Sequence, residues 1–150
     1  APHVVSDSHL REILDKVKRP CIRYTEATEE NVTQADCLII DCYGLLSSIY
    51  RYGEISYIGG GFGVGIHNVL EAAVYGIPVI FGPNNKKFRE AQHLLEQKGG
   101  FEVTGYDDFK RLMDKFLSDK ACLQQAGKAA GDYVNHNAGA LEKIMKDITL

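Results

Sequence analysis

Glycines and polar side chains that could bind an anion follow one another closely in residues 57–71. Five glycines, Gly59, Gly60, Gly61, Gly63 and Gly65, come directly after an apolar run that is typical of a buried strand. Glycine lets the backbone adopt positive φ angles and approach a ligand closely, and the first N–H groups of a following helix point at an anion bound there. The segment therefore predicts a site for a phosphorylated ligand.

The helix predicted to follow these glycines begins with side chains that suit a nucleotide or a sugar. Asn68 and Glu71 are three residues apart, so they share one face of the first turn, beside its amide donors. In this interpretation a phosphate binds the amides and His67, while the carboxylate accepts from sugar hydroxyls or an exocyclic amine. In the structural alternative the glycines permit tight packing, His67 packs on them, and Asn68 and Glu71 are a helix cap and a dipole-complementing acid. Residue types alone leave both interpretations open.

Signatures of other chemistries do not fit the sequence. The glycines cannot be aligned to the G-x-G-x-x-G pattern of dinucleotide sites, and the P-loop pattern does not occur. The five histidines show no metal-ligand spacing with cysteines or carboxylates, so we predict no metal site. Ser47 and Ser48 have no partnered base in a recognised motif, so no nucleophile is assigned. The turn at residues 82–85 favours a structural role.

The composition is that of one soluble domain. The chain has 150 residues, of which 45% are hydrophobic and 25% charged, and its formal net charge is -3. That charge predicts no binding to nucleic acid. The four cysteines lack a Cys-x-x-Cys pair and are interpreted as reduced structural thiols in a cytosolic setting. The sequence has no apolar run long enough for a membrane helix.

Strand-like and helix-like segments alternate along the chain, which predicts a Rossmann-like parallel sheet with helices on both faces. The first helix is capped by Ser6 or Ser8 and stopped by Pro20. Predicted strands cover residues 21–24, 37–41, 55–58, 78–81 and 101–104. Predicted helices cover residues 43–52, 67–75 and 86–98, and most of 107–150 with interruptions near Gly131 and between residues 135 and 139.

Three loops are expected at the carboxyl ends of strands, where open parallel sheets bind ligands. They are Pro2-His3, residues 41–46 and residues 59–71. We expect these loops to meet at one edge of the sheet.

The same loops resemble a known family, the 3-deoxy-D-manno-octulosonic acid (Kdo) transferases of lipid A assembly. Residues 67–83 resemble the core of the family's donor site, and Asn68-Val-Leu-Glu71 matches its Asn-x-Leu-Glu element without change. Pro2-His3 resembles a Pro followed by a basic residue, with His in place of the usual Arg. Residues 41–46 resemble an Asp-x-x-Gly-Glu-Leu element, with Leu45 where an acid is usual. The resemblance extends from Pro2 to about Ala91.

What the resemblance implies is the C-terminal half of a GT-B glycosyltransferase, which binds CMP-Kdo and transfers Kdo to a lipid A precursor in lipopolysaccharide biosynthesis. Residues 1–150 would be the nucleotide-sugar domain, inactive alone, because the acceptor domain with the general base is N-terminal in this family and absent here. The whole protein would act at the cytoplasmic face of the bacterial inner membrane, with CMP-Kdo as substrate and no cofactor or metal. The implied substrate contacts are Pro2, His3, Tyr43, Gly44, Leu45, Gly60, Gly61, His67, Asn68, Val69, Leu70 and Glu71.

Two other classes of protein remain open at this stage. A GT-B transferase or epimerase that uses a UDP-sugar would also place glycines and an early helical Glu at its nucleotide. A non-catalytic α/β binding module would keep the fold without the ligand. An NAD-dependent dehydrogenase is third, because no acidic residue follows a proper fingerprint at the required distance.

Overall fold

The structure is a computed structural model that describes residues 1–2, 5–139 and 145. Its contacts divide the chain into two compact units, residues 1–49 and residues 50–150. No helix among the described residues is long and apolar enough to cross a membrane.

The first unit contains a short parallel sheet of two strands. Helix α1 (Asp7–Lys16) is capped by Ser6, whose hydroxyl accepts from the His9 N–H, and it buries Leu10. Strand β1 (Cys21–Arg23) pairs with β2 (Cys37–Ile39) in register Cys21 with Cys37. Two 3₁₀ turns, Tyr24–Glu26 and Val32–Gln34, join the strands, and α2 (Leu46–Ile49) ends the unit.

The second unit has a three-stranded parallel sheet in the order β3-β4-β5. A 3₁₀ turn, Tyr50–Tyr52, precedes these strands. The strands are β3 (Ser56–Ile58), β4 (Val79–Phe81) and β5 (Gly100–Glu102), and the helices are α3 (Leu70–Ala73), α4 (Arg89–Glu96), α5 (Tyr106–Ser118) and α6 (Lys120–Asn137).

Strand β4 is the centre of this core, and all three of its side chains are fully buried. Its successive side chains point to opposite faces of the sheet. Val79 and Phe81 pack in one apolar cluster with α3, α4 and the later part of α6, while Ile80 packs in another with α5 and the start of α6. Helices therefore cover both faces of this sheet, as predicted.

Several predicted boundaries are wrong in detail. The helix expected over residues 67–75 is α-helical only over Leu70–Ala73, and that expected over residues 43–52 is a short α2 followed by a 3₁₀ turn. No interruption occurs near Gly131, because α6 runs through it; the break lies at Asp119, whose carboxylate accepts from the Cys122 N–H and starts α6. The expected interruption between residues 135 and 139 agrees with the structure, in which α6 stops at Asn137.

Candidate functional site

The glycine loop that follows β3 is folded back on itself. The carbonyl of Gly60 accepts from the N–H groups of Gly63 at 2.9 Å and Gly65 at 3.3 Å, and the His67 N–H donates to the Gly59 carbonyl at 3.1 Å. Gly60 and Gly65 have φ angles of +88° and +148°, which favour glycine. Three N–H groups of the loop therefore donate to carbonyls of the loop itself, as the structural interpretation of the glycines expects.

A second turn, after β4, holds the glycine loop in place. Asn84 donates from its backbone N–H to the Gly61 carbonyl at 2.9 Å and from its amide to the Gly63 carbonyl at 2.6 Å. Gly61 is so close to Gly82 that a Cβ on Gly61 would lie 2.6 Å from the Gly82 nitrogen. Residues 82–85 therefore have the structural role that the sequence favoured.

A polar network around the buried Asn85 side chain supports that turn. The Asn85 side chain, 1% exposed, donates to the Gly82 carbonyl and to the Glu102 carboxylate, and it accepts from Gln92. Sequence reasoning missed this network. Two consecutive asparagines directly after a fully buried strand were the signal that could have revealed it.

Asn68 and Glu71 contact each other at the start of α3. The Asn68 amide donates to Glu71 Oε1 at 3.0 Å, while Asn68 Oδ1 accepts from the Leu70 N–H at 3.0 Å. The shared face that their spacing predicted is therefore present. Asn68 caps the first N–H of the helix, as the structural alternative expects, and the side chain stays exposed.

Next to this pair lies a cavity of about 330 Å³ that contains four of the predicted site residues. Val69 is buried below it, and His67 and Asn68 are exposed beside it. The His67 ring also approaches the glycine loop, because a Cβ on Gly60 would lie 3.5 Å from its Cδ2. The lining residues are Ile66, His67, Asn68, Val69, Leu70, Phe88 and Glu90.

Phe88 and Glu90 were not predicted as site residues, although they follow the β4 turn at the same sheet edge. The pKa of Tyr50 is raised mainly by burial and also by the negative charge of the Glu71 carboxylate. The cavity combines an apolar floor with the His67 imidazole, the Asn68 amide and the Glu90 carboxylate, which can bind a polar ligand with hydroxyl groups.

The remaining predicted contacts belong to the first unit. Tyr43 is 77% exposed, Gly44 has φ +86° with open space around it, and Leu45 is half-buried. Pro2 is half-buried, and His3 lies outside the described residues. The predicted meeting of these residues with residues 59–71 stays a prediction.

Asp41, which precedes Tyr43, joins the ends of β1 and β2. Its buried carboxylate accepts from Arg23 Nε at 2.7 Å, from the Thr25 hydroxyl at 2.6 Å and from the Thr25 N–H at 3.0 Å. The Thr25 hydroxyl contributes most to lowering the pKa of Asp41 from 3.8 to about 2. The carboxylate therefore supports the segment structurally.

Known proteins resemble this chain in sequence. It is 37% identical over 89 residues to the 3-deoxy-D-manno-octulosonic acid transferase of Aquifex aeolicus, which covers 58% of this chain and 25% of the relative. The same transferase of Chlamydia muridarum is 38% identical over 113 residues, or 74% of this chain and 26% of the relative. That of Rickettsia felis is 27% identical over 145 residues, or 93% and 31%. The chain is a relative of the 3-deoxy-D-manno-octulosonic acid transferases.

The fold agrees with this relation to the transferases. The crystal structure of the C-terminal CMP-Kdo binding domain of WaaA from Acinetobacter baumannii matches with a TM-score of 0.72 and 17% identity, over 85% of this chain and 67% of that chain. At that identity the likeness shows the fold, and it confirms the predicted α/β class with a parallel sheet and helices. No family model matches the chain. The chain spans about a quarter to a third of the length of these transferases.

Proposed function

We propose that this chain is the part of a Kdo transferase that binds CMP-Kdo, the donor for transfer of Kdo to a lipid A precursor. The observation that carries the proposal is the 37% and 38% identity to proteins named as Kdo transferases. The cavity beside His67 and Asn68 supports it, because it lies within the segment that matches the Asn-x-Leu-Glu element.

The cytidylate would bind at the edge formed by the glycine loop and α3. In this proposal His67 donates to a phosphate oxygen, and Glu71 accepts from hydroxyl groups while Asn68 holds its carboxylate. Gly60, Gly61, Val69 and Leu70 would contact the donor there. Contacts of the donor with Pro2, His3, Tyr43, Gly44 and Leu45 are a separate prediction, which rests on the resemblance alone. Donors fixed near a departing phosphate stabilise its charge.

The acceptor would be bound and deprotonated by residues that this chain does not contain. The general base that takes the acceptor proton, and contact with the lipid A precursor and the membrane, would belong to the N-terminal domain of a whole transferase at the cytoplasmic face of the bacterial inner membrane. In this proposal no metal or cofactor takes part, and the chain alone binds donor without transferring Kdo. Transfer to a lipid A precursor by the chain alone would contradict that last point.

A titration with nucleotides tests the choice of ligand. We expect CMP to bind more tightly than UMP, UDP or GDP by calorimetry, with shifts in the amide signals of residues 59–71 by NMR. Tighter binding of UDP would instead favour a transferase or epimerase that uses a UDP-sugar. If none of the nucleotides stabilised the folded chain, a non-catalytic module would be favoured.

Two variants test the site itself. Glu71→Ala is expected to weaken CMP binding by roughly 10- to 150-fold, since a hydrogen bond to a charged group contributes about 1.5–3 kcal/mol. Glu96→Ala, which removes an exposed carboxylate at the far end of α4, is the control and should leave the affinity unchanged. Equal affinities of the two variants would place the ligand elsewhere.

A further inference from the structure

Two cysteines face each other across the sheet of the first unit. Cys21 of β1 and Cys37 of β2 are direct register partners in the parallel pair. Adjacent strands lie about 4.8 Å apart and partner side chains project from the same face of the sheet. A disulfide requires Cα atoms roughly 4.4–6.8 Å apart. The backbone of the two strands therefore already has the spacing that a bond between these residues needs.

The surroundings of the thiols agree with this placement. Both cysteines are half-buried and unbonded in the structure, which describes their reduced state. The Cys21 thiol lies 3.2 Å from the Arg19 carbonyl, to which it donates. Burial and, after it, a hydrogen bond with the Cys37 thiol raise the pKa of Cys21.

The other two cysteines lack such a partner in the sheet register. Cys42 follows the carboxyl end of β2, whereas Cys21 and Cys37 begin their strands. Cys122 lies on α6 in the second unit. From the sequence alone the four cysteines cannot be told apart, because 15 residues separate Cys21 from Cys37. Only the pairing of β1 with β2 brings these two together.

We propose that Cys21 and Cys37 are a dithiol site that a peroxide converts reversibly to a disulfide. One thiolate attacks a peroxide oxygen and breaks the O–O bond, which gives a sulfenic acid and an alcohol or water. The second thiol then attacks the sulfenic sulfur and releases water, so that two thiols and one peroxide yield one disulfide, one alcohol and one water. A small dithiol reductant reverses the reaction by thiol–disulfide exchange.

The bond would fix the sheet of the first unit at both ends. Arg23 and Thr25 already bind Asp41 at the carboxyl ends of the strands. The disulfide would join the amino ends and close the loop of residues 22–36. Closing a loop of this size constrains the unfolded chain, so the oxidised unit should melt roughly 10–25 °C higher than the reduced one.

Peptide mapping of the folded chain tests the proposal. After treatment with hydrogen peroxide and alkylation of the remaining thiols, trypsin should release peptide 19–23 linked to peptide 24–51, and reduction should separate them. Peptide 24–51 contains both Cys37 and Cys42. Cys42→Ser is therefore the matched control: it should keep the link, whereas Cys37→Ser and Cys21→Ser should lose it. Circular dichroism checks that each variant is folded, and Cys37→Ala serves if Cys37→Ser is not.

Two results would overturn the proposal. One is a link that persists in folded Cys37→Ser and is lost in Cys42→Ser. The other is oxidation of the wild-type thiols to sulfinic or sulfonic acids with no linked peptides. Binding of phenylarsine oxide, which bridges two close thiols, gives an independent readout: the wild type and Cys42→Ser should bind it, and Cys21→Ser should not.

Discussion

At the scale of single residues, the Asp41 carboxylate shows how a buried charge can join two strands. Three of its hydrogen-bond donors come from Arg23, which ends β1, and from Thr25, two residues later. Its side chain is 0% exposed, so water does not replace these donors. The hydrogen bonds of Asp41 therefore attach the start of the following loop to the end of β1.

Acid should weaken the first unit through Asp41. The folded pKa of about 2 lies below the ordinary 3.8, so the stabilisation is complete above pH 3.8 and is lost as the pH falls through 2. Asp41→Asn should be less stable at neutral pH and should lack this component of the acid response. Hydrogen exchange of the amides in β1 and β2, followed from about pH 6 to about pH 2, measures it.

Asp36→Asn is the control for this acid response. Asp36 forms an ion pair with Arg19 in the same unit, but the side chains are 55% and 75% exposed. Exposed pairs contribute about 0–1 kcal/mol, so the variant should keep the wild-type pH dependence. An Asp41→Asn variant with an unchanged acid response would contradict the role given to Asp41.

The sequence could predict which residues of the α3 region share a face, but not how they use their hydrogen bonds. Spacing alone placed Asn68 beside Glu71, and the 3.0 Å contact agrees. Whether Asn68 serves the ligand or the Leu70 N–H depends on where the helix begins, which sequence patterns determine only to within a few residues. Phe88 and Glu90 were missed because the turn that brings them to the cavity is set by Asn84 and Asn85.

At the scale of elements, the glycine loop and the β4 turn pack backbone against backbone at Gly61 and Gly82. Gly61→Ala should destabilise the second unit by about 1–3 kcal/mol, because its Cβ would lie 2.6 Å from backbone of Gly82. Gly63 has open space, with its nearest neighbour 3.6 Å away and no positive φ. Gly63→Ala is thus the matched control, expected within about 0.5 kcal/mol of wild type by urea unfolding. Equal effects of the two would refute the packing role.

Helix α6 approaches Gly76 through its own glycines. A Cβ on Gly127 would lie 2.3 Å from the Gly76 carbonyl oxygen. Alanine favours helix by about 1 kcal/mol over glycine, but overpacking against fixed backbone costs about 1–3 kcal/mol. Gly127→Ala should therefore lower the thermal midpoint of the second unit, while Gln125→Ala on the exposed side of α6 should not. A raised midpoint for Gly127→Ala would show that α6 can move away.

The same contact explains a wrong prediction at this scale. The sequence predicts a helix interruption near Gly131, yet Gly131 lies inside α6. A Cβ added to it would lie 3.2 Å from Gly76 Cα. A glycine needed for close packing of two elements has the same sequence signal as one that ends a helix. Asp119 was the better signal for the start of α6, since Asp is a favoured helix cap.

At the scale of the whole molecule, the two units differ in how much apolar surface they bury. Both described clusters of buried residues lie within residues 50–150. Buried apolar side chains of the first unit are Leu10, Ile39 and Ile40. Because burial is the main source of stability, the first unit has less to hold it folded.

Hydrogen exchange should reveal this difference directly. Amides of β1 and β2 should exchange at lower denaturant than those of β3, β4 and β5, with mass spectrometry of peptides as the readout. Reduced conditions keep Cys21 and Cys37 from forming a bond during the measurement. Simultaneous exchange of all five strands would mean that the chain opens as one cooperative body.

The alternation of strand and helix patterns was enough to predict parallel pairing, because parallel strands need a crossover between them. The register pairs of β3 with β4 and β4 with β5 confirm it. The division at residue 50 was not foreseen, since no linker composition marks it and only tertiary contacts separate the units.

The position of β4 between an earlier strand, β3, and a later strand, β5, also bears on synthesis of the chain. Its last partner, β5, supplies residues 100–102. A fragment that stops before Gly100 would leave the backbone of Val79, Ile80 and Phe81 without that partner, as an open apolar edge that pairs readily with other copies. Prematurely terminated products that end between residues 82 and 99 should accordingly aggregate, and shortening the chain from this side should reduce its yield abruptly at Gly100.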